Sequence, residues 1–132
     1  ADKQIKEVTD AVERFRKYDF DGALLSFKEA RKKHPELSPG EVNMAKLFLQ
    51  VQQIKGFRYW LEQAVVEESS DPEAYIFLGD MALREGRMCE ATLVYGKANS
   101  LIATLSNAER KKALEPRIQS GLAAVAEFRK DW

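Results

Sequence analysis

Apolar residues recur along this chain at steps of three and four, in groups such as Ala11-Val12-Phe15, Ala23-Phe27-Ala30, Phe57-Leu61-Ala64 and Ala91-Tyr95-Ala98. That spacing sets one face of a helix toward a core. The β-branched residues never cluster in alternating runs, which disfavours a sandwich or barrel. The pattern predicts helices over 3–17, 21–33, 39–53, 57–68, 72–85 and 88–105. Sliding the chain on itself by 34 residues aligns these groups in columns. Ala30, Ala64 and Ala98 share one column, and Ala11, Ala45 and Gly79 another. Phe27, Leu61 and Tyr95 form a large apolar column, as do Phe20, Ile54 and Met88, and Phe15, Leu49 and Leu83. Ala23 and Ala91 share a column with Phe57 as the exception. Alternating small and large columns suit two packed helices, since small residues let the axes approach and large ones fill the space beside them.

Turn residues punctuate the same period. Asp21-Gly22, Lys55-Gly56 and Glu85-Gly86 read as breaks within each unit. His34-Pro35, Ser38-Pro39-Gly40-Glu41 and Ser70-Asp71-Pro72-Glu73 read as boundaries between units. Ser38 with Glu41 has capping-box spacing, and so has Ser106 with Glu109; Asp71 before Pro72 reads as another helix start. The units are therefore about 4–37, 38–71 and 72–105. Residues 106–116 read as an inserted segment holding a short helix over 108–115, interrupted at Pro116. Residues 117–132 then resume as a helix. Its Ala124-Val125-x2-Phe128-Arg129-Lys130 repeats Ala11-Val12-x2-Phe15-Arg16-Lys17, so it reads as the first helix of a fourth unit in a longer array, with Asp131-Trp132 continuing it. Phe128 and Trp132 are then expected to be partly uncovered, with self-association through this helix as the consequence.

A helix pair repeating every 34 residues resembles the tetratricopeptide repeat. The likeness is sharpest in Tyr75-x2-Leu78-Gly79-x2-Ala82 and Ala91-x3-Tyr95-x2-Ala98. The first unit carries Ala23-x3-Phe27-x2-Ala30 with Pro35 at the closing position; the second departs, with Phe57 for a small residue and Ser69 for the proline. The resemblance implies an all-α solenoid: three antiparallel helix pairs in a right-handed superhelix, within one domain over 1–132, plus one or two C-terminal helices. It also implies a concave groove lined by Val8, Val12, Arg16, Val42, Lys46, Gln50, Ile76, Asp80 and Arg84, suited to a peptide or partner protein. The columns that clamp a C-terminal carboxylate in some members hold Val8, Val12, Asn43 and Phe77 here. Only Asn43 fits, so that mode is rejected.

Charge and composition narrow the functions. Lys plus Arg and Asp plus Glu are 21 each, so the net charge is zero. A dedicated nucleic-acid binder, including an RNA-reading helical repeat, needs a basic surface that this balance does not supply. The longest apolar stretches are a few residues, so no membrane span is expected. Cys89 is the single cysteine, which excludes an internal disulfide and is compatible with a reducing, cytoplasmic setting. His34, the single histidine, has no partner at metal or catalytic spacing. No phosphate loop or nucleophile motif occurs. We therefore expect no enzyme, cofactor or metal. Six acidic residues and no Lys or Arg lie between Leu61 and Asp80, which reads as a solvated face or a surface that steers a basic partner. Trp60 is expected to pack beside the Phe57–Leu61 interface or to make an exposed contact. The expected function is a protein-interaction scaffold; the alternatives are a self-assembly module or a regulatory repeat segment of a larger protein.

Overall fold

A computed structural model describes residues 5–130. Among the described residues the chain is entirely helical: α1 (Lys6–Arg16), α2 (Phe20–Lys33), α3 (Gly40–Gln50), α4 (Ile54–Glu67), α5 (Glu73–Arg84), α6 (Met88–Ile102) and α7 (Ala108–Lys130). Asp131 and Trp132 lie outside the described residues. The chain divides into two compact units between Ala64 and Val65, inside α4 and not at the repeat boundaries read at 37/38 and 71/72.

Three turns join α1 to α2, α3 to α4 and α5 to α6, and they share one geometry. Tyr18, Gln52 and Gly86 adopt positive φ of 64°, 60° and 77°. The amides of Asp19, Gln53 and Arg87 reach back five residues to the carbonyls of Arg14, Phe48 and Ala82, at 2.9, 2.9 and 2.8 Å. Each turn thus satisfies carbonyls that a helix end leaves open. These positions recur every 34 residues along the chain. The breaks therefore lie at 17–19, 51–53 and 85–87. Gly22 and Gly56, read as breaks, are helical. Their lack of a side chain answers packing: a methyl on Gly56 would overlap the Phe48 ring, and one on Gly22 would overlap the Asp19 carboxylate that caps α2.

In the first unit Ala11, Ala23, Phe27 and Met44 form the buried centre. Phe15, Phe20 and Phe48 close one end as a triangle of rings with centroids 5.0–5.3 Å apart. Trp60 packs against this core, while Tyr59 beside it is half exposed. The columns Ala30/Ala64/Ala98, Ala11/Ala45/Gly79, Phe27/Leu61/Tyr95 and Ala23/Phe57/Ala91 are buried at every position.

Two capping boxes read from sequence do not form. Ser38 Oγ accepts from Lys46 Nζ at 2.9 Å, and Glu41 is buried 3.4 Å from Lys28, so neither side chain caps α3. At α7 the cap is Asn107, whose Oδ1 accepts from the Arg110 amide at 3.0 Å, one residue beyond Ser106. Asp71 does cap α5, accepting from the Glu73 amide at 3.0 Å.

Pro116 does not interrupt α7, contrary to the reading of two helices. Arg110, Leu114, Ile118, Gly121 and Val125 form one buried stripe that crosses it. Burying Leu114, Ile118 and Val125 contributes roughly 1.5–3 kcal/mol each. Their sum exceeds the roughly 3 kcal/mol an interior proline removes.

The turns give a test of opposite sign at two positions. Left-handed backbone disfavours a side chain by roughly 1–2 kcal/mol, and glycine returns about 0.4–1 kcal/mol of that through its freer unfolded chain. Gln52→Gly is expected to raise stability by about 0.5–1 kcal/mol in urea unfolding, while Gly86→Ala lowers it by about 1 kcal/mol. A methyl at Gly86 meets nothing within 4 Å, so its effect reads the backbone alone.

Candidate functional site

The groove residues expected from sequence fall into three grades of exposure. Val8 is half-buried against the first unit's core, and Val42 and Ile76 are fully buried. Val12, Lys46 and Asp80 are half-buried, and Arg16, Gln50 and Arg84 are exposed. Helix geometry explains the order. Each step of four residues turns the side chain by about 40°, so eight residues carry it from the core side to solvent. Val42 and Ile76 therefore present no surface to a partner, and Ile76 belongs to a core with Ala98, Ile102, Leu114 and Ile118. Asn43, the one residue matching a carboxylate clamp, donates its side-chain amide to the Ser38 carbonyl at 3.1 Å.

In the second unit α7 reaches the same face of α5. Arg110 inserts between Asp71 and Glu73: Nη2 donates to Asp71 Oδ1 at 3.0 Å and to Glu73 Oε1 at 2.8 Å, and Nη1 donates to Asp71 Oδ2. All three side chains are buried. Burial works against the guanidinium charge, but the two carboxylates outweigh it and raise the Arg110 pKa. The cluster holds two negative charges and one positive. The Glu73 amide, at the positive end of α5, donates to Asp71 and offsets part of the excess.

One turn further along α5, the buried Tyr95 hydroxyl donates to Asp80 Oδ1 at 2.6 Å. Arg117 lies 3.4 Å from Asp80 Oδ2 and 4.7 Å above the Phe77 ring centre. The Tyr95 ring has glycine on two sides. A methyl on Gly79 would come within 2.6 Å of it, and one on Gly121 would overlap it. Burial raises the phenol pKa first, and the hydrogen bond to Asp80 and its charge raise it further, against a lowering pull from Arg117. Beside these groups lies an open cleft of about 370 Å³ lined by Asp80, Leu83, Tyr95, Pro116, Arg117 and Ser120. It offers a carboxylate, a guanidinium and a hydroxyl, which suit hydrogen bonding and charge recognition.

The acidic run is therefore divided. Asp71, Glu73 and Asp80 face Arg110 and Arg117 of the chain's own α7, while Glu62 and Glu67 are exposed. Sequence reasoning passed over Arg110. Its signal is an arginine on an apolar stripe at steps of four and three, which demands a buried acid. The cation-free stretch 61–80 supplies two. His34 Nδ1 faces Glu36 at 3.5 Å on the surface, and Cys89 is exposed. Among the described residues no group of three or more His, Cys, Asp or Glu side chains is placed to hold a metal ion, and no helix is long and apolar enough to cross a membrane. Comparison of the chain with known protein families, curated proteins and solved structures returns no match.

Removing one partner of a buried ion pair leaves the other charge unsolvated. Arg110→Ala is expected to lower stability by about 3–5 kcal/mol. Arg87→Ala, which removes an exposed cation paired with Glu85 and Glu90, is expected to stay within about 0.5 kcal/mol in the same urea titrations.

Tyr95 sets a pH dependence. Its folded pKa lies above the 10.0 of a free phenol, so its contribution is complete below about pH 10 and is lost as pH rises beyond it. Stability measured against pH is expected to fall more steeply in this alkaline range for the wild type than for Tyr95→Phe. Below the unfolding transition, the 295 nm absorbance gained on titration is expected to be equal in the two proteins.

Proposed function

We propose that the chain is a non-catalytic protein-interaction module. In this reading its helix pairs are tetratricopeptide-like repeats stacked as a right-handed superhelix, with α7 covering the face of the third. The observation that carries the reading is the recurrence of one turn geometry at Tyr18, Gln52 and Gly86. An equal interval between turns places equivalent side chains at the same height on α1, α3 and α5. Arg16, Gln50 and Arg84 form such a row and are exposed at all three positions. Val12, Lys46 and Asp80 form the half-buried row beside it. Two guanidiniums and an amide favour a partner segment that offers carboxylates or backbone carbonyls.

The test is selection of displayed random peptides on the intact chain, followed by fluorescence anisotropy of the selected sequences. Arg16→Glu with Arg84→Glu is expected to weaken binding by at least about tenfold, or ~1.4 kcal/mol, while Glu29→Lys on an exposed face of α2 leaves it unchanged. Failure to select any binder, or binders indifferent to the double substitution, would refute the reading.

A further inference from the structure

Large apolar side chains lie exposed at the turn end of the first unit: Tyr18 is 82% exposed, Val51 52% and Ile54 50%. They sit over the Phe15–Phe20–Phe48 rings. The Tyr18 ring meets Phe20 edge-on at 6.2 Å, Val51 and Ile54 follow Phe48 within six residues, and the Gln53 amide is bonded to the Phe48 carbonyl. Tyr18 also holds left-handed backbone, at the position Gly86 fills in the third turn. A bulky residue there is doubly unfavourable for an isolated fold, since it strains the backbone and places a ring in water. Packing within the unit explains the triangle of rings but not the exposed ring outside it.

We propose that this edge is the contact through which two copies of the chain meet across a two-fold axis. The charges around it decide the occupant. Glu13, Asp19 and Asp21 alternate with Arg14, Arg16 and Lys17, all exposed and three of each sign. A strongly acidic or basic partner would meet half of these charges with its own sign. A second copy, turned by two-fold symmetry, can set cations against anions around an apolar centre. The whole chain carries no net charge, so no long-range repulsion opposes the encounter.

The experiment is sedimentation of the full chain over a wide concentration series. A reversible monomer–dimer equilibrium is expected. Tyr18→Gly removes the ring and relieves its backbone, so it weakens the dimer by at least about tenfold without lowering the thermal stability of the monomer. Loss of dimer in this variant therefore does not reflect unfolding. Ile54→Glu is expected to weaken the dimer similarly, and Leu93→Glu, at an exposed position on α6 of the other unit, to leave it unchanged. A wild-type chain that stays monomeric throughout overturns the proposal, as does a dimer that survives both edge substitutions. A monomeric chain that instead binds a polyglutamate peptide, with binding lost in Ile54→Lys, identifies a charged partner and overturns it too.

Discussion

Each consecutive helix pair depends on a turn that reverses the chain within three residues while leaving few backbone groups unsatisfied. One left-handed residue makes this possible, because it swings the following amide back onto the carbonyl five residues earlier. Longer connections would let the pairs drift; this one fixes where the next helix starts. With that start fixed, Ala11 and Ala23 come together in the first unit and Ala82 and Ala91 in the second, close enough for Phe27 and Tyr95 to fill the remaining space. The conformation suits glycine, yet only Gly86 supplies it; Tyr18 and Gln52 hold it because the helices on either side over-determine it.

The second unit is closed by a different kind of interaction. α7 brings an apolar stripe to α5 and α6, and at its first turn a guanidinium that two carboxylates of α5 enclose. The cluster also explains why a chain with balanced charge contains a stretch of twenty residues, from Leu61 to Asp80, without a cation. The compensating charges lie more than thirty residues downstream, at Arg110 and Arg117. Part of what resembles a field for an outside partner is neutralised at home, and the exposed remainder is Glu62 and Glu67.

Helical periodicity made the all-α class and the buried columns legible, since side-chain volume at fixed spacing survives any small error in helix ends. The ends themselves were less legible. A glycine signals either a turn or a close approach, and the sequence does not say which; Gly22 and Gly56 serve the second. Capping residues are ambiguous in the same way, because Ser38 and Glu41 have bonding choices across space that a local motif ignores. Pro116 misled because its local penalty is real but smaller than the burial on both sides of it. The face expected as a groove was legible as rows. Its exposure was not, because the drift of an α-helix against a four-residue step had to be followed outward from the core. Arg110 was hidden for a plainer reason: its partners are 37 and 39 residues away, and only the folded chain joins them.

The buried arginine has a consequence for how α7 finds its place. Leu114, Ile118 and Val125 recur so evenly that the helix could slide by a turn and still present apolar side chains to α5 and α6. Such a slip would bring Leu114 to the Asp71–Glu73 site and strand two carboxylates in an apolar setting, at a penalty of several kcal/mol. A methionine at position 110 would pack there with less electrostatic conflict if both carboxylates were also replaced, but it would fit equally well one turn away. The charge cluster therefore acts as a key: it contributes less to adhesion than an apolar contact of its size, and it admits α7 in a single register.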